Sequence, residues 1–268
     1  MSPHPPSLPN SYHTHIAASG LDAMVEAASA AGLAVLGVSE HIFQLHEGRR
    51  RIPEAPLEGP LLPMAGYVAQ VRGRAPSGVT LRLGLEVDFL PDRQAELAEL
   101  CDGEPWDFLI VSVHALDGCL LQRLQAPNLA EGWRLWRRYA DLLEGAVRGG
   151  GCDILAHPLR LSRFVSPPPY LEQCLRPVLE AAAQVGVAVE LNGADVVFAP
   201  GLQAELLAWC RSCGAAVSFG ADAHGPGQIA RGAAEALVLL RRAGYAALTG
   251  LHGRRPVAEP LPPIEGDG

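Results

Sequence analysis

The sequence predicts a single α/β domain built on a parallel sheet, and three observations carry that expectation. Seven short β-type runs recur along the chain, each nearly continuously apolar, as strands buried on both faces of a parallel sheet are. Helical patterns or loops separate the runs, and this alternation with short links implies right-handed crossovers within one sheet, closed or open. Most runs end in a histidine, an acid or another polar side chain, and α/β barrels build their sites at the C-terminal ends of strands.

Taken in order, residues 1–10 (MSPHPPSLPN) form a Pro-rich leader, read as extended or disordered, and its His4 has no expected role. The first run is YHTHI, where His13 and His15 alternate with Tyr12 and Thr14 and so share one face of a strand. LDAMVEAASAAG (21–32) has apolar residues at helical spacing and stops at Gly32, with Asp22 expected as its N-cap. The second run, 34–41, ends Glu40-His41. Residues 44–63 show no period and read as a long loop carrying His46 and the basic stretch Arg49, Arg50, Arg51. Run 81–89 (LRLGLEVDF) holds Glu86, and run 108–116 holds His114 near its end. A long helix is expected over 129–150, stopping at a Gly cluster, followed by CDILAHP (152–158) with His157. A helix over 170–186 leads to VAVELNG (187–193), with Glu190 and Asn192. A helix over 201–214 leads to AVSFGADAH (216–224), with Asp222 and His224. The domain is expected over 11–255, with a Pro/Gly-rich tail at 256–268.

Composition limits the function classes. The formal net charge of −8 argues against binding long nucleic acids, which takes a basic surface. No apolar run approaches the ~20 residues of a membrane span, and the first residues lack a signal-peptide pattern. A cytoplasmic protein that does not engage membranes is therefore expected; the oligomeric state is left open. The six cysteines are too sparse for a disulfide scaffold, and Cys210-Arg-Ser-Cys213 lacks the second pair a structural zinc site needs.

The strand ends point to metal chemistry. An unpaired buried carboxylate such as Glu86 is costly and calls for a cation or a proton. Six histidines (His13, His15, His41, His114, His157 and His224) with Glu86 and Asp222 exceed what one ion needs, so at least two ions are implied. Imidazoles with carboxylates and no thiolate suit zinc, manganese or iron. Two such ions a few Å apart can hold a hydroxide and polarise a phosphoryl oxygen, which is phosphoester hydrolysis.

The motifs HTH, SEH, GLEVDFLP, SVHAL, AHP and GADAH, in this order, resemble those of the PHP (polymerase and histidinol phosphatase) superfamily over residues 12 to about 231. GLEVDFLP followed by SVHAL, and GADAHGPGQIARG, are similar to its histidinol-phosphatase branch. The resemblance implies a distorted (β/α)7 TIM-like barrel with the metal site at the C-terminal mouth. It implies two or three divalent ions (Zn, Mn or Fe) and hydrolysis of a small phosphorylated substrate, L-histidinol phosphate, through a metal-bridging hydroxide, a reaction of histidine biosynthesis. Carried over, His13, His15, Glu86 and Asp222 hold one ion, Glu86, His114 and His157 the second, and His41 and His224 the third. Glu86 bridges, and His224 is placed to protonate the leaving group. The chain departs from the family in two places. Gly20 and Leu21 stand where a ninth ligand is expected, with Asp22 the nearest substitute. ELNGADVVFAPG lacks the arginine that follows the sixth strand, so Arg160, Arg163, Arg231 and His46 become the candidate substrate contacts. The alternatives are a PHP hydrolase acting on another small phosphoester (a nucleotide, an oligonucleotide end or a sugar phosphate) and a metal-binding barrel without catalysis.

Overall fold

In the computed structural model, which describes residues 7–52, 55–57 and 59–263, seven strands pair as one parallel sheet. Six coincide with predicted runs, while the first precedes the YHTHI run, in which Thr14 makes only an isolated bridge to Ala223. The strands of the sheet are β1 (Asn10–Ser11), β2 (Val35–His41), β3 (Thr80–Asp88), β4 (Phe108–Ser112), β7 (Ile154–Leu155), β8 (Ala188–Asn192) and β9 (Val217–Gly220), neighbours in that order, while β5 (Ala115–Leu116) and β6 (Cys119–Leu120) form a separate short hairpin after β4. The sheet closes on itself beyond β1. Tyr12 N–H donates to Phe219 O (2.9 Å), His15 N–H to Ala223 O (2.8 Å) and Ala223 N–H to His13 O (3.3 Å). Seven parallel strands and their surrounding helices thus make a nearly closed barrel, as the sequence and the family resemblance predict.

The predicted helices form at α1 (Leu21–Ala30), α5 (Leu129–Arg148), α6 (Leu171–Val185) and α8 (Pro200–Cys213). Asn128 caps α5, its side chain accepting from Glu131 N–H at 2.9 Å. Asp22 does not cap α1: Gly20 is the N-cap, and the exposed Asp22 carboxylate pairs with Arg74 at 3.0 Å. Four helices lie where no helix was expected: α3 (Met64–Arg72), α4 (Gln94–Cys101), α7 (Gly193–Phe198) and α9 (Ala233–Arg242). Tyr67 of α3 is fully buried. Its hydroxyl accepts from Glu40 N–H at 3.2 Å and lies 2.7 Å from Gly84 O, so this helix ties the middle of β3 to the end of β2. The long 44–63 segment is more ordered than a loop without period. It contains the short α2 (His46–Arg49), and Leu45 and Leu62 form a parallel bridge.

The interior is graded along the barrel axis. Tyr12, Phe108, Ile110, Ile154, Ala156, Ala188 and Leu251 form an apolar cluster low in the barrel. Phe108 lies so close to β3 that a Cβ at Gly84 would fall 2.3 Å from its ring, so this strand position requires glycine. The lower end is covered by an antiparallel hairpin, β10 (Ala247–His252) and β11 (Arg255–Pro260). Residues 255–260 therefore are a paired strand, although the composition assigns most of them to a tail. Gly253 and Arg254 both have positive φ at the tip, as a two-residue hairpin turn demands. The tip docks where β4 and β7 begin: Arg254 N–H donates to Asp107 O at 2.8 Å, and its guanidinium meets Asp153 at 2.7 Å. Tyr12 OH donates to Glu259 at 2.5 Å. At the other end of the chain, Leu8 is buried and Pro9 O accepts from Ala34 N–H, so the end of the leader packs on the barrel; His4 lies outside the described residues. All six cysteines are free. No helix among the described residues is long and apolar enough to cross a membrane.

Candidate metal centre

Parallel strands in a barrel bring their C-terminal ends together, and the polar strand ends meet there. All eight candidate ligands fall within one cluster, and six of them are nearly fully buried; His114 and His224 are the partly exposed members. Glu86, on β3, stands at its centre. Its Oε2 lies 3.2 Å from His13 Nε2, 3.6 Å from His15 Nε2 and 2.6 Å from His41 Nδ1. Its Oε1 lies 3.4 Å from His114 Nε2 and 3.3 Å from His157 Nε2. Each oxygen faces a separate set of imidazoles, which is the geometry of a bridging carboxylate. Asp222 Oδ1 lies 3.8 Å from His13 Nε2 and 3.6 Å from His15 Nε2.

Four overlapping groups have ligand atoms close enough to hold an ion: His13/His15/Asp222, His13/Glu86/His157, His41/Glu86/His114 and His15/His41/His224. The groups share members, so they describe fewer than four ions. The family pattern lacks its ninth ligand here, and the geometry shows what stands beside His41 and His224 in its place. Leu21 is buried and Asp22 points away to Arg74, while His15 stacks on His41 at 4.0 Å and lies 4.2 Å from His224.

Buried charge sets the state of these groups. Burial resists ionisation of Glu86, but His41, His13 and His114 together hold its carboxyl well below the usual range. Burial opposes Asp222 in the same way, and the Arg160 guanidinium and His13 overcome it. His15 is pushed up to about 9, because Asp222 and Glu40 outweigh the burial that disfavours its cation. His157 is pushed down to about 4 by burial and by Arg160, so it is a neutral ligand at pH 7. His13 Nε2, His15 Nε2 and Glu86 Oε2 are buried without a hydrogen bond. Orphaned buried polar atoms are costly unless something fills the space between them, and imidazoles with carboxylates fit a divalent ion.

Around the ligands lie residues that the strand-end pattern did not assign. Asp88 Oδ1 accepts from His114 Nδ1 at 2.8 Å. Two residues beyond Glu86 on the same strand face, Asp88 was legible in GLEVDF by its spacing alone. Glu40 lies under the first loop, accepting from the backbone N–H groups of Ile16 (2.8 Å), Ala17 (2.7 Å) and His41 (2.9 Å).

A cavity of about 640 Å³ opens over the cluster. His41, Asp88, His114, Arg160 and His224 line it, with Phe43, Ile52 and Phe164 as apolar walls. Arg160 sits in the turn after His157 and pairs with Asp222. The other expected substrate contacts do not line this cavity. Arg163 is held by Asp195 at 2.7 Å and lies over the Phe198 ring. The Arg231 guanidinium reaches inward to the carbonyls of Ala221 and Asp222, steadying the loop in which Asp222 adopts φ 52°. His46 is exposed on the first turn of α2. Arg163 and Arg231 are thus engaged by protein groups, and His46 is exposed outside this lining.

Fold and site together define a class, the α/β barrel with a buried cluster of histidines and carboxylates at its mouth that could hold divalent ions. The PHP domain model matches residues 11–194, and the chain belongs to the PHP domain family. The proteins it resembles include histidinol-phosphatases. A probable histidinol-phosphatase of Deinococcus radiodurans is 27% identical over 235 residues, covering 81% of this chain and 86% of that one. The crystal structure of histidinol phosphate phosphatase from Lactococcus lactis, complexed with zinc, L-histidinol and phosphate, superposes with a TM-score of 0.73 at 20% identity. That superposition covers 94% of this chain and 98% of the other.

Proposed function

We propose that the protein hydrolyses L-histidinol phosphate to L-histidinol and phosphate, using two or three divalent ions of zinc, manganese or iron. The observation that carries this reading is the split of Glu86, one oxygen toward His13 and His15 and the other toward His114 and His157. In this reading His13, His15, Asp222 and Glu86 hold one ion, and Glu86, His114 and His157 the second. His41 and His224, with His15 beside them, form the third position. Ions bound there supply Lewis acidity toward the phosphoryl group and an activated water.

The chain's own residues supply the rest. Arg160 lines the cavity next to His114 and His224, where its guanidinium can take two phosphoryl oxygens, replacing the arginine missing after β8. Asp88 holds the His114 ring by Nδ1, so Nε2 is the nitrogen directed at the ligand site. His224 Nδ1 lies 3.1 Å from the Asp222 carbonyl. In its doubly protonated form, and with no third ion engaging it, His224 would pass the Nε2 proton to the leaving alkoxide, which departs as the alcohol. Phe43, Ile52 and Phe164 exclude water from the organic part of the substrate.

The test pairs elemental analysis of the purified protein with a phosphomonoester panel that includes histidinol phosphate. Two or three ions per chain with preferred turnover of histidinol phosphate are expected. Glu86→Ala and His114→Ala should lower turnover about a thousandfold or more, with the fold retained. Full activity of either variant after metal stripping and reconstitution refutes the mechanism, and preference for another phosphoester refutes the substrate.

A further inference from the structure

We infer that Glu190 is a positioning residue that locks two metal ligands from two different strands to each other. It lies on β8, faces the barrel interior and is 1% exposed. Three donors converge on its one carboxylate. Oε1 accepts from His13 Nδ1 at 2.7 Å, while Oε2 accepts from His157 N–H at 2.7 Å and from Asn192 Nδ2 at 3.0 Å.

Both histidines are fixed in ways that matter for a metal. An Nδ1 that donates to a carboxylate leaves the lone pair of the ring on Nε2, and His13 Nε2 is the buried atom 3.2 Å from Glu86 Oε2. His157 is bound through its backbone instead. Its φ of 27° is one that residues with a Cβ rarely adopt, and the Oε2 bond helps to hold the main chain there. From that backbone its Nε2 reaches 3.3 Å from Glu86 Oε1. The two oxygens of Glu190 therefore serve two histidines that face the two oxygens of Glu86. One carboxylate bridges at the front of the site, and the other sets the spacing of its ligands from behind.

The neighbouring strand is built around this contact. A Cβ at Gly220 of β9 would lie 2.3 Å from Glu190 Oε1 and 2.4 Å from the His13 Cβ. No side chain fits there unless the pair moves apart. The donor count also explains the residue type. A glutamine has one acceptor oxygen and would turn its amide N–H toward one set of donors, so it can serve His13 or His157 but not both.

This inference rests on the metal-site part of the proposed function and is independent of the substrate. The test strips the full chain with a chelator and measures Zn²⁺ affinity by competition, with the absorption spectrum of the Co²⁺-loaded protein as a second readout. Wild type and the variants Glu190→Ala, Glu190→Gln and Gly220→Ala are compared, with folding followed by circular dichroism. Zn²⁺ affinity is expected to fall about 10–100-fold in Glu190→Ala and less in Glu190→Gln. Gly220→Ala should weaken binding and change the Co²⁺ spectrum although every polar group is retained, which covers the case in which Glu190→Ala fails to fold. In the wild type, ¹⁵N shifts of His13 should show a protonated Nδ1. Affinities within twofold of wild type with unchanged Co²⁺ spectra in the folded variants overturn the inference, as does a His13 that lacks a proton on Nδ1 in the Zn²⁺-loaded protein. A wild type that binds no Zn²⁺ would instead refute the metal-site reading itself.

Discussion

Arg160 and Arg231 show how a single side chain is sorted by what it touches. Both follow a metal-ligand motif in the sequence, and both were candidates for the substrate. Arg231 spends its guanidinium on two backbone carbonyls behind the site, whereas Arg160 lines the cavity beside the ligands. A charge-assisted hydrogen bond contributes about 1.5–3 kcal/mol, so Arg160→Ala should lower kcat/KM by roughly 10–100-fold. The loss should fall mostly on KM, and Arg160→Lys should restore part of it, because lysine keeps the charge but loses the two-pronged geometry. Steady-state kinetics on one phosphomonoester checks this. The clustered histidines and acids themselves were legible as candidate ligands because they recur at the ends of apolar runs, where chance rarely puts them. The partners of those ligands were not. His13 meets Glu190 177 positions away, and no local pattern reports a contact at that separation.

At the scale of elements, the strands were legible because parallel strands buried on both faces must be apolar throughout. The helices that went unread fail that test of periodicity for identifiable reasons. α7 spans six residues, too few to show a period, although Asn192 caps it by accepting from Ala194 and Asp195 N–H at 3.1 and 3.2 Å. The hairpin β10–β11 turns on Gly253-Arg254, where an arginine takes the positive φ that asparagine or glycine usually signals. Packing between elements also fixes residues that composition treats as neutral. Gly84 faces the Phe108 ring, and Gly84→Ala should cost about 1–3 kcal/mol by forcing the ring or the strand aside. A lowered midpoint in urea with an unchanged slope would show this, and an unchanged midpoint would show that the barrel core yields more easily than its contacts imply.

For the whole molecule, acid is the condition that should expose how the mouth is assembled. Glu40 joins the connection after β1 to the end of β2 through three backbone N–H groups. Burial alone would raise its pKa, but His15, the His41 ring and the Ile16 N–H hold it at about 2 against an ordinary value of 4.5. A depressed carboxyl contributes stability that is present above about 4.5 and is lost as pH falls toward 2. Glu40→Gln should therefore destabilise the protein at pH 7, and the gap from wild type should narrow across that window. Urea unfolding at a series of pH values measures it, and a gap that does not change with pH would remove Glu40 from the acid response.

The bonds that close the barrel between residues 12–15 and 219–223 also govern when the centre can exist. His13 and His15 are made before Glu190 and Asp222, so a nascent chain carries two histidines before the partners that surround them exist. Most of the strands must be synthesised and laid side by side before the first can meet the last, and such long-range pairings form slowly. A complete ligand set would thereby be postponed until Asp222 and His224 have been made. An ion that met the chain before then would find only part of that set.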